Sequence, residues 1–210
     1  DTNNLNTFPN TEATVLLHDY KKSSIRLYDG EVVRDKSNFR HHGVAIGDSI
    51  TDYQLSVPIQ WTNAYTVLSN YTILNRLTSD PFTIETWIFT NNTLRRGWMF
   101  EIPGSLEFLY FDGGSNRVNI YTTEGVVGFD MPYRLSNVNN ALQYFAITFD
   151  GRTLRGFING LERNRTILTG SPILATSDSH IYIGRPTLTN DALSPVSLRI
   201  TRRALHQTLI

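Results

Sequence analysis

Carboxylates are the first side chains in this sequence that could do chemistry. An enzyme that cleaves glycosidic bonds presents two acids on one face of a strand, at alternating positions. Glu107 and Asp112 are five residues apart, which places them on opposite faces of a strand, and Glu85 and Glu101 are isolated in the sequence. The spacing therefore predicts no catalytic acid pair, and we expect no enzyme.

Histidines are the second candidates, and they give no clear metal site. His41 and His42 are adjacent, so they would face opposite ways on a strand, although a loop could turn both toward one ion. His18, His180 and His206 are isolated. We expect these rings to be surface or loop side chains rather than metal ligands.

Other reactive arrangements are missing from the sequence. The chain has no cysteine, no Gly-x-Ser-x-Gly nucleophile motif and no Gly-x-x-x-x-Gly-Lys phosphate loop. Calcium stays open, because Asp112, Asp130, Asp178 and Asp191 lie in predicted loops and hard cations prefer loop oxygens. An Asp in a turn more often bonds its own backbone. The sequence thus requires no cofactor and leaves calcium as an option.

Net charge and hydropathy indicate whether the chain binds nucleic acid or inserts into a membrane. Lys plus Arg and Asp plus Glu both number 19, so the formal net charge is zero. This balance gives no long-range attraction to nucleic acid or to an anionic membrane. No apolar run approaches the roughly 18 to 20 residues that a membrane span needs. We expect neither nucleic-acid binding nor membrane insertion.

The elements that must position any site are short strands. Segments of six to nine residues, rich in aromatic and β-branched types and ending at or near Gly, Pro, Asn or Asp, recur along the chain. They include 14–20, 71–77, 82–90, 98–103, 106–114, 117–123, 125–131, 143–151, 153–160 and 180–186. Such spacing is typical of an antiparallel sandwich or barrel. The best candidate for a short helix is RRALHQTL at 202–209.

Residues 144–163, YFAITFDGRTLRGFINGLER, predict a three-strand meander. The Asp-Gly pair at 150–151 begins one turn, and the Asn-Gly pair at 159–160 supplies the positive φ angles of another. Phe157 lies on the face opposite Leu154, so one of these faces is core and the other is covered or open to a ligand.

The chain divides into an arm and one domain. Residues 1–13 are polar and rich in turn formers, which predicts an arm or linker from a larger polypeptide. Residues 14–210 read as a single domain. Both faces of the strand at 82–90 carry large apolar groups, so we expect this strand to be covered on both sides.

Several motifs, in order, resemble those of laminin-G-like, concanavalin A-like jelly-roll domains. They are the opening TVLLHDY at 14–20, the Asp-x-Ser-x-x-x-His loop at 35–41, DPFTIETWIF at 80–89, LQYFAITFDGRTLRGFINGLE at 142–162, IYIGR at 181–185 and SLRITRRAL at 197–205. The resemblance implies an all-β fold, a two-sheet antiparallel jelly-roll β-sandwich. Val196 and Ser197 replace the usual acidic pair of the family, which argues against a calcium site inherited from metal-binding relatives.

The opening and closing motifs are most similar to versions in bacteriophage virion and tail proteins. The resemblance therefore implies a noncatalytic module on the virion surface, hence extracellular, that binds carbohydrate or adheres to a host cell-surface polysaccharide. One alternative is a structural decoration or assembly domain of a capsid or tail, which contacts other virion proteins or forms a homo-oligomer. Another is a polysaccharide hydrolase.

Aromatic rings and basic side chains are the candidate ligand contacts. Sugars stack on exposed rings and hydrogen-bond to polar groups. The predicted ligand-binding residues are Arg95, Arg96, Trp98, Tyr121, Tyr133, Arg155 and Phe157. Trp61 and Tyr65 are further aromatic candidates, and for each ring the alternative is a place in the core.

Overall fold

The computed structural model describes residues 8–20, 29–47, 49–51, 60–62, 64–69, 71–90, 96–111, 115–132, 141–176, 179–186 and 195–205. Within these residues almost every regular element is a strand. The strands are β1 (Thr14–Asp19), β2 (Val32–Val33), β3 (Gly43–Ile46), β4 (Ser49–Thr51), β5 (Gln60–Thr62), β6 (Tyr65–Leu68), β7 (Phe82–Thr90), β8 (Arg96–Ile102), β9 (Leu106–Phe111), β10 (Ser115–Thr122), β11 (Gly125–Pro132), β12 (Ala141–Phe149), β13 (Thr153–Ile158), β14 (Leu161–Ile167), β15 (Ile181–Pro186) and β16 (Pro195–Thr201).

Two large antiparallel sheets form a sandwich. One sheet has six strands in the order β1-β16-β7-β12-β13-β14, and the other has eight in the order β11-β10-β9-β8-β15-β6-β3-β2. Strands β4 and β5 pair with each other. The prediction of an all-β, two-sheet antiparallel jelly-roll β-sandwich is confirmed.

The core lies between the facing sides of the two sheets. Phe82 and Phe145 come from the six-stranded sheet, and Phe100 and Phe108 come from the eight-stranded sheet. The Tyr110 ring meets Phe145 edge-on across the sandwich, with 5.9 Å between the ring centroids. Each large side chain taken from water in this way contributes about 1.5–3 kcal/mol, so alternation along the strands is what holds the sheets together.

The predicted meander is confirmed as β12, β13 and β14. Strand β13 pairs with β12 on one side and with β14 on the other. Asn159 and Gly160 form the second corner with φ angles of 50° and 77°. The Asn159 side chain also accepts a hydrogen bond from the Tyr144 amide at 3.0 Å, which fixes the turn to β12.

One strand prediction is wrong. Within 71–77, predicted as a strand, the chain forms the short helix α1 (Thr72–Asn75), followed by a 3₁₀ helix at Leu77–Ser79. Leu74 and Leu77 are both buried, and three-residue spacing brings them to one side of a helix, where the core accepts them. At the C-terminus, residues 202–205 are irregular, and the rest of the predicted helix lies outside the described residues. No helix in the described ranges has the length and apolar character needed to cross a membrane.

Candidate functional site

The outer face of the eight-stranded sheet carries a continuous row of side chains. Residues paired directly across antiparallel strands share a face, so the register defines the row. One residue from each strand belongs to it, in the order Val32, Val44, Val67, Tyr182, Glu101, Glu107, Asn119 and Gly128. At about 4.8 Å between strands, eight strands give a track of about 34 Å.

A second row runs beside the first, two residues along β9, β10 and β11 and three residues along β8 and β15, where the register of β8 with β9 shifts. It contains Arg185, Trp98, Leu109, Arg117 and Asp130. We call the centre of the two rows, together with the neighbouring Tyr121, the outer-face site. It comprises Trp98, Glu101, Glu107, Tyr121, Tyr182 and Arg185.

Glu101 and Glu107 face each other across a hairpin. The sequence EIPGSLE is nearly symmetric about Gly104, where φ is 72°, and the turn pairs Ile102 with Leu106 and Glu101 with Glu107. The prediction that Glu101 is isolated is therefore wrong. The spacing of acids along one strand does not reveal this pair, whereas a Pro-Gly turn with an acid at equal distance on each side does.

Glu101 is held by an arginine. Arg185 Nη2 lies 2.8 Å from Glu101 Oε1 and 2.6 Å from Oε2. The guanidinium carbon lies 4.6 Å from the centre of the Trp98 ring and 4.4 Å from that of Tyr182, within the range of cation–π attraction. Arg185 Nε has no hydrogen-bond partner among the described residues. The arginine is thus fixed between two rings, with Nε buried and the side chain as a whole 31% exposed.

Glu107 is held by hydrogen bonds instead. The Tyr121 hydroxyl donates to Glu107 Oε1 at 2.8 Å, and Asn119 Nδ2 donates to Oε2 at 3.1 Å. Both donors come from β10, which pairs with β9. The neighbouring strand therefore fixes the orientation of this carboxylate.

Burial changes the protonation behaviour of the site. Glu101 is 4% exposed, and this burial, helped by the negative charge of Glu107 and opposed by Arg185, raises the pKa of Glu101 to about 7. Burial, together with the hydrogen bond to Glu107, raises the pKa of Tyr121 to about 12. Near neutral pH the site therefore contains one acid that exchanges its proton and one phenol that remains protonated.

Two of the predicted ligand-binding residues meet in this site. Trp98 and Tyr121 lie on the outer face of the eight-stranded sheet, and both are half-buried. Their partners Glu101, Glu107 and Arg185 were not predicted, because cross-strand neighbours are distant in sequence.

The remaining predicted residues do not join them. Arg155 lies on the other sheet and pairs with Asp150 at 2.8 Å. Phe157 is 1% exposed, so the expectation of a ring open to a ligand is wrong there. Its face of β13 is covered, which was the other alternative. Arg96 begins β8, whereas Arg95 and Tyr133 lie outside the described residues.

The further aromatic candidates divide in a similar way. Tyr65 is half-buried, and its ring centre lies 6.0 Å from that of Tyr182, beside the outer-face site. For Trp61 the structure describes only the backbone, in β5.

The histidines near the N-terminus form a buried network rather than surface groups. His18 Nε2 lies 3.2 Å from the His41 carbonyl oxygen, and His41 Nδ1 lies 2.8 Å from that of Val15. The Asp35 carboxylate accepts hydrogen bonds from the amides of His41 and Leu17. The prediction of surface or loop rings is wrong for His18, which is buried in strand β1. His41 does lie in a loop, but its ring is buried, because the Asp-x-Ser-x-x-x-His loop folds its polar groups inward.

The calcium candidates lie apart or cannot be placed. Asp130 is exposed on β11, with one carboxylate oxygen 3.9 Å from Arg117 Nε. Asp112, Asp178 and Asp191 fall outside the described residues. Within the described ranges, no three His, Cys, Asp or Glu side chains are grouped so as to hold a metal ion.

The arrangement is one that can hold a polyhydroxylated ligand. It combines half-buried ring surfaces, the Glu107 carboxylate and a partly exposed guanidinium on the outer face of the sheet. This fold and this surface define a lectin-like β-sandwich domain. The chain belongs to the concanavalin A-like lectin/glucanases superfamily, whose laminin-G-type profile matches residues 61–205.

Solved structures share the fold at low sequence identity. The binding domain of botulinum neurotoxin DC in complex with SialylT is similar with a TM-score of 0.70 and 13% identity, over 94% of this chain and 50% of that chain. The receptor binding domain of botulinum neurotoxin C/D mosaic serotype gives 0.68 and 12%, over 94% and 49%. The binding domain of Paraclostridial Mosquitocidal Protein 1 gives 0.62 and 12%, over 94% and 51%.

The chain therefore spans about half the length of these solved chains. At 12–13% sequence identity, the similarity shows a shared fold and nothing further. No curated protein matches the chain by sequence.

Proposed function

We propose that this domain is a noncatalytic glycan-binding module and that the outer-face site is its ligand surface. The observation that carries the proposal is the guanidinium of Arg185, held between Trp98 and Tyr182 on the outer face by a side chain that is 31% exposed. Its guanidinium can donate to a sugar hydroxyl while ring edges and faces contact the apolar side of the sugar. The superfamily and the names of the similar binding domains support the same class of function.

The geometry favours shallow binding of an extended chain. The row is about 34 Å long across the sheet. Val32 and Val44 are exposed at one end of it, and the acids and Asn119 lie toward the other. A ligand lying across the strands would meet an apolar segment and then a polar one. Weak contacts of this kind gain strength when several copies bind together.

The test is a glycan array with neutral and sialylated oligosaccharides, followed by calorimetric titration of the best binder. Trp98→Ala should weaken binding about ten-fold, because an aromatic contact is worth about 1 kcal/mol or more beyond its buried area. Trp87→Ala is the matched control, since Trp87 is also half-buried but belongs to the six-stranded sheet. Absence of binding to every glycan, or equal losses in both variants, would contradict the proposal.

One observation favours a second candidate function, polysaccharide hydrolysis. Glu101 and Glu107 are directly opposed, and the pKa of Glu101 is raised to about 7, as suits a general acid. Against it, Arg185 binds Glu101, and the two hydrogen bonds to Glu107 occupy both of its oxygens. Release of reducing ends by the wild-type chain, abolished in Glu101→Gln, would establish hydrolysis. If the wild-type chain releases no reducing ends, hydrolysis is contradicted and glycan binding is the candidate function that remains.

We further propose that the module acts on a virion surface, in adhesion to a host glycan. The support is the similarity of the TVLLHDY opening and the RITRRAL ending to phage virion and tail proteins. Mass spectrometry of purified virions from the source would detect the chain if this is right. Its absence from particles, with presence elsewhere, would contradict the placement.

A further inference from the structure

Part of the outer face of the six-stranded sheet is closed to solvent. A sheet in a sandwich usually leaves its outer face in water. Here Tyr144, Ala146 and Phe157 form a second buried apolar cluster on that face, at 6%, 0% and 1% exposure. Among the described residues, Phe8 and Trp87 are the partly buried apolar side chains packed against it. The cluster is therefore shielded from water by other side chains. One of them, Phe8, belongs to the predicted N-terminal arm.

A buried ion pair lies beside this cluster. Arg199 Nε donates to Glu85 Oε2 at 2.6 Å, and the two residues are only 7% and 2% exposed. The Tyr144 hydroxyl donates to Glu85 Oε1 at 2.8 Å. A buried ion pair is tolerated only when its remaining polar atoms also find partners, because each charge has lost its water. Arg199 still has a donor, Nη1, to satisfy.

The arm supplies the missing partner. Arg199 Nη1 donates to the Pro9 carbonyl oxygen at 3.1 Å, and the guanidinium carbon lies 5.0 Å from the centre of the Phe8 ring. The Phe8 ring also packs against Tyr144, with 6.2 Å between ring centroids. An aromatic side chain and the next carbonyl thus bind one guanidinium from two directions.

The path of the arm explains its position. The Thr14 amide donates to the Thr11 carbonyl at 2.9 Å in a turn that leads into edge strand β1. Asn10 Nδ2 donates to the Lys36 carbonyl at 3.1 Å. From this edge the chain crosses β16 to reach the rings on β7 and β12. Only residues 10–13 separate Phe8–Pro9 from β1, so the tether is short.

We propose that the outer face of the six-stranded sheet is a docking seat for an aromatic–proline segment, and that Phe8–Pro9 of the same chain occupies it. The seat consists of Glu85, Trp87, Tyr144, Phe157 and Arg199. A tether of four residues gives the occupant an effective concentration in about the millimolar range or above, which favours the same chain over a second copy. The seat lies on the opposite side of the sandwich from the outer-face site, so docking and ligand binding do not compete.

The experiment uses the full chain and changes the contact from both sides. Phe8→Ala removes the ring. Arg199→Lys keeps a charge for Glu85 but cannot serve the carboxylate, the Pro9 carbonyl and the ring together. We expect both variants to lose the nuclear Overhauser contact between the residue 8 side chain and the Tyr144 ring and to melt about 2–6 °C lower. Phe39→Ala, at an exposed ring elsewhere, is the control that should retain the contact.

A peptide in solution tests whether the seat recognises the segment itself. A synthetic peptide of residues 1–12 should bind Phe8→Ala protein more tightly than it binds wild type, whose seat is filled. The same peptide with Ala at position 8 should bind neither. Equal peptide binding by both proteins, or an Overhauser contact that persists in Arg199→Lys, would overturn the seat. A wild-type dimer that Phe8→Ala dissociates would overturn the assignment to the same chain.

Discussion

Glu101 and Glu107 are chemically identical side chains in adjacent positions, but their surroundings give them different properties. Glu107 accepts two hydrogen bonds from neutral donors, whereas Glu101 is buried against a guanidinium. Burial dominates over the ion pair at Glu101, because its pKa is raised rather than lowered. The outer-face site therefore has one hydrogen-bond acceptor, Glu107, whose orientation is fixed by its neighbours, and a second, Glu101, whose charge changes near neutral pH.

Tyr121→Phe tests whether the orientation of the Glu107 carboxylate matters for ligand binding. The change removes the hydroxyl that donates to Glu107 Oε1 at 2.8 Å and leaves the half-buried ring in place. We expect ligand affinity to fall about three- to ten-fold, since a freed carboxylate loses its orientation and a net hydrogen bond is worth about 1 kcal/mol. Titration calorimetry measures the loss. Tyr144→Phe is the control, because it removes a hydroxyl that donates to Glu85 Oε1 at 2.8 Å on the six-stranded sheet. An unchanged affinity for Tyr121→Phe would contradict the role of Glu107.

The contributions of His18 and Glu101 to the free energy of unfolding should change with pH in opposite directions. Burial, opposed by the nearby Asp35 and by the His41 carbonyl and reinforced by the charges of His41 and His42, lowers the pKa of His18 to about 4. Between pH 6.5 and 4 the unfolded chain therefore binds a proton that the folded chain does not, so the free energy of unfolding falls as pH falls. Glu101, raised to about 7, binds its proton in the folded state first, so its contribution to stability falls as pH rises from about 4.5 to 7.

The variant Glu101→Gln separates the two effects. Urea unfolding between pH 7 and pH 4.5 should show a steeper loss of stability toward acid pH in this variant than in wild type. His180→Gln changes an exposed ring and should follow the wild-type curve. A Glu101→Gln curve flatter than wild type would contradict the direction given for Glu101.

Strand β13 shows how an element is fitted to its surroundings. Leu154 and Ile158 point into the core between the sheets, and Phe157 points into the second apolar cluster, against which Phe8 packs. Gly156 faces the other sheet. A Cβ placed on Gly156 would overlap Met131 Sδ and would lie 2.8 Å from Phe129 Cε2, both on β11 of the other sheet. Glycine at this position therefore leaves room for the Met131 and Phe129 side chains of β11, which would have to move to admit a methyl group.

Gly156→Ala should consequently destabilise the sandwich. Overpacking of a close-packed core costs about 1–3 kcal/mol, which lowers the melting temperature by about 2–4 °C for each kcal/mol in a chain of this size. Calorimetric melting measures the shift. Adding Met131→Ala makes room for the methyl group, so we expect the double variant to be less unstable than the sum of the two single changes. Simple additivity would show that the two side chains do not compete for space.

The sandwich has two outer faces that differ in chemistry. The eight-stranded face carries charged and aromatic side chains, whereas on the six-stranded face Phe8 packs over a buried ion pair. Two packed sheets keep these faces more than about 10 Å apart. A module built in this way can receive its N-terminal segment on one side and bind a ligand on the other.

The double variant Phe8→Ala with Trp98→Ala tests this separation. Changes more than 7–10 Å apart with no shared partner add within about 0.3–0.5 kcal/mol. We expect Phe8→Ala to lower the melting temperature, Trp98→Ala to lower glycan affinity, and the double variant to have the same affinity as Trp98→Ala alone. Melting curves and titrations of the four proteins give the comparison. An affinity that depends on Phe8 would mean that the faces are coupled through the core.

The sequence by itself determined the sandwich, because alternation and turn residues act locally. The Asn-Gly at 159–160, the covered strand β7 and the meander all follow from a period of two and from positive φ angles. It also pointed to Trp98 and Tyr121. Only the tertiary structure brought them to Glu101, Glu107 and Arg185 and buried Phe157, because strand register and the path of the arm depend on which distant segments pack together. Local spacing does not carry that information.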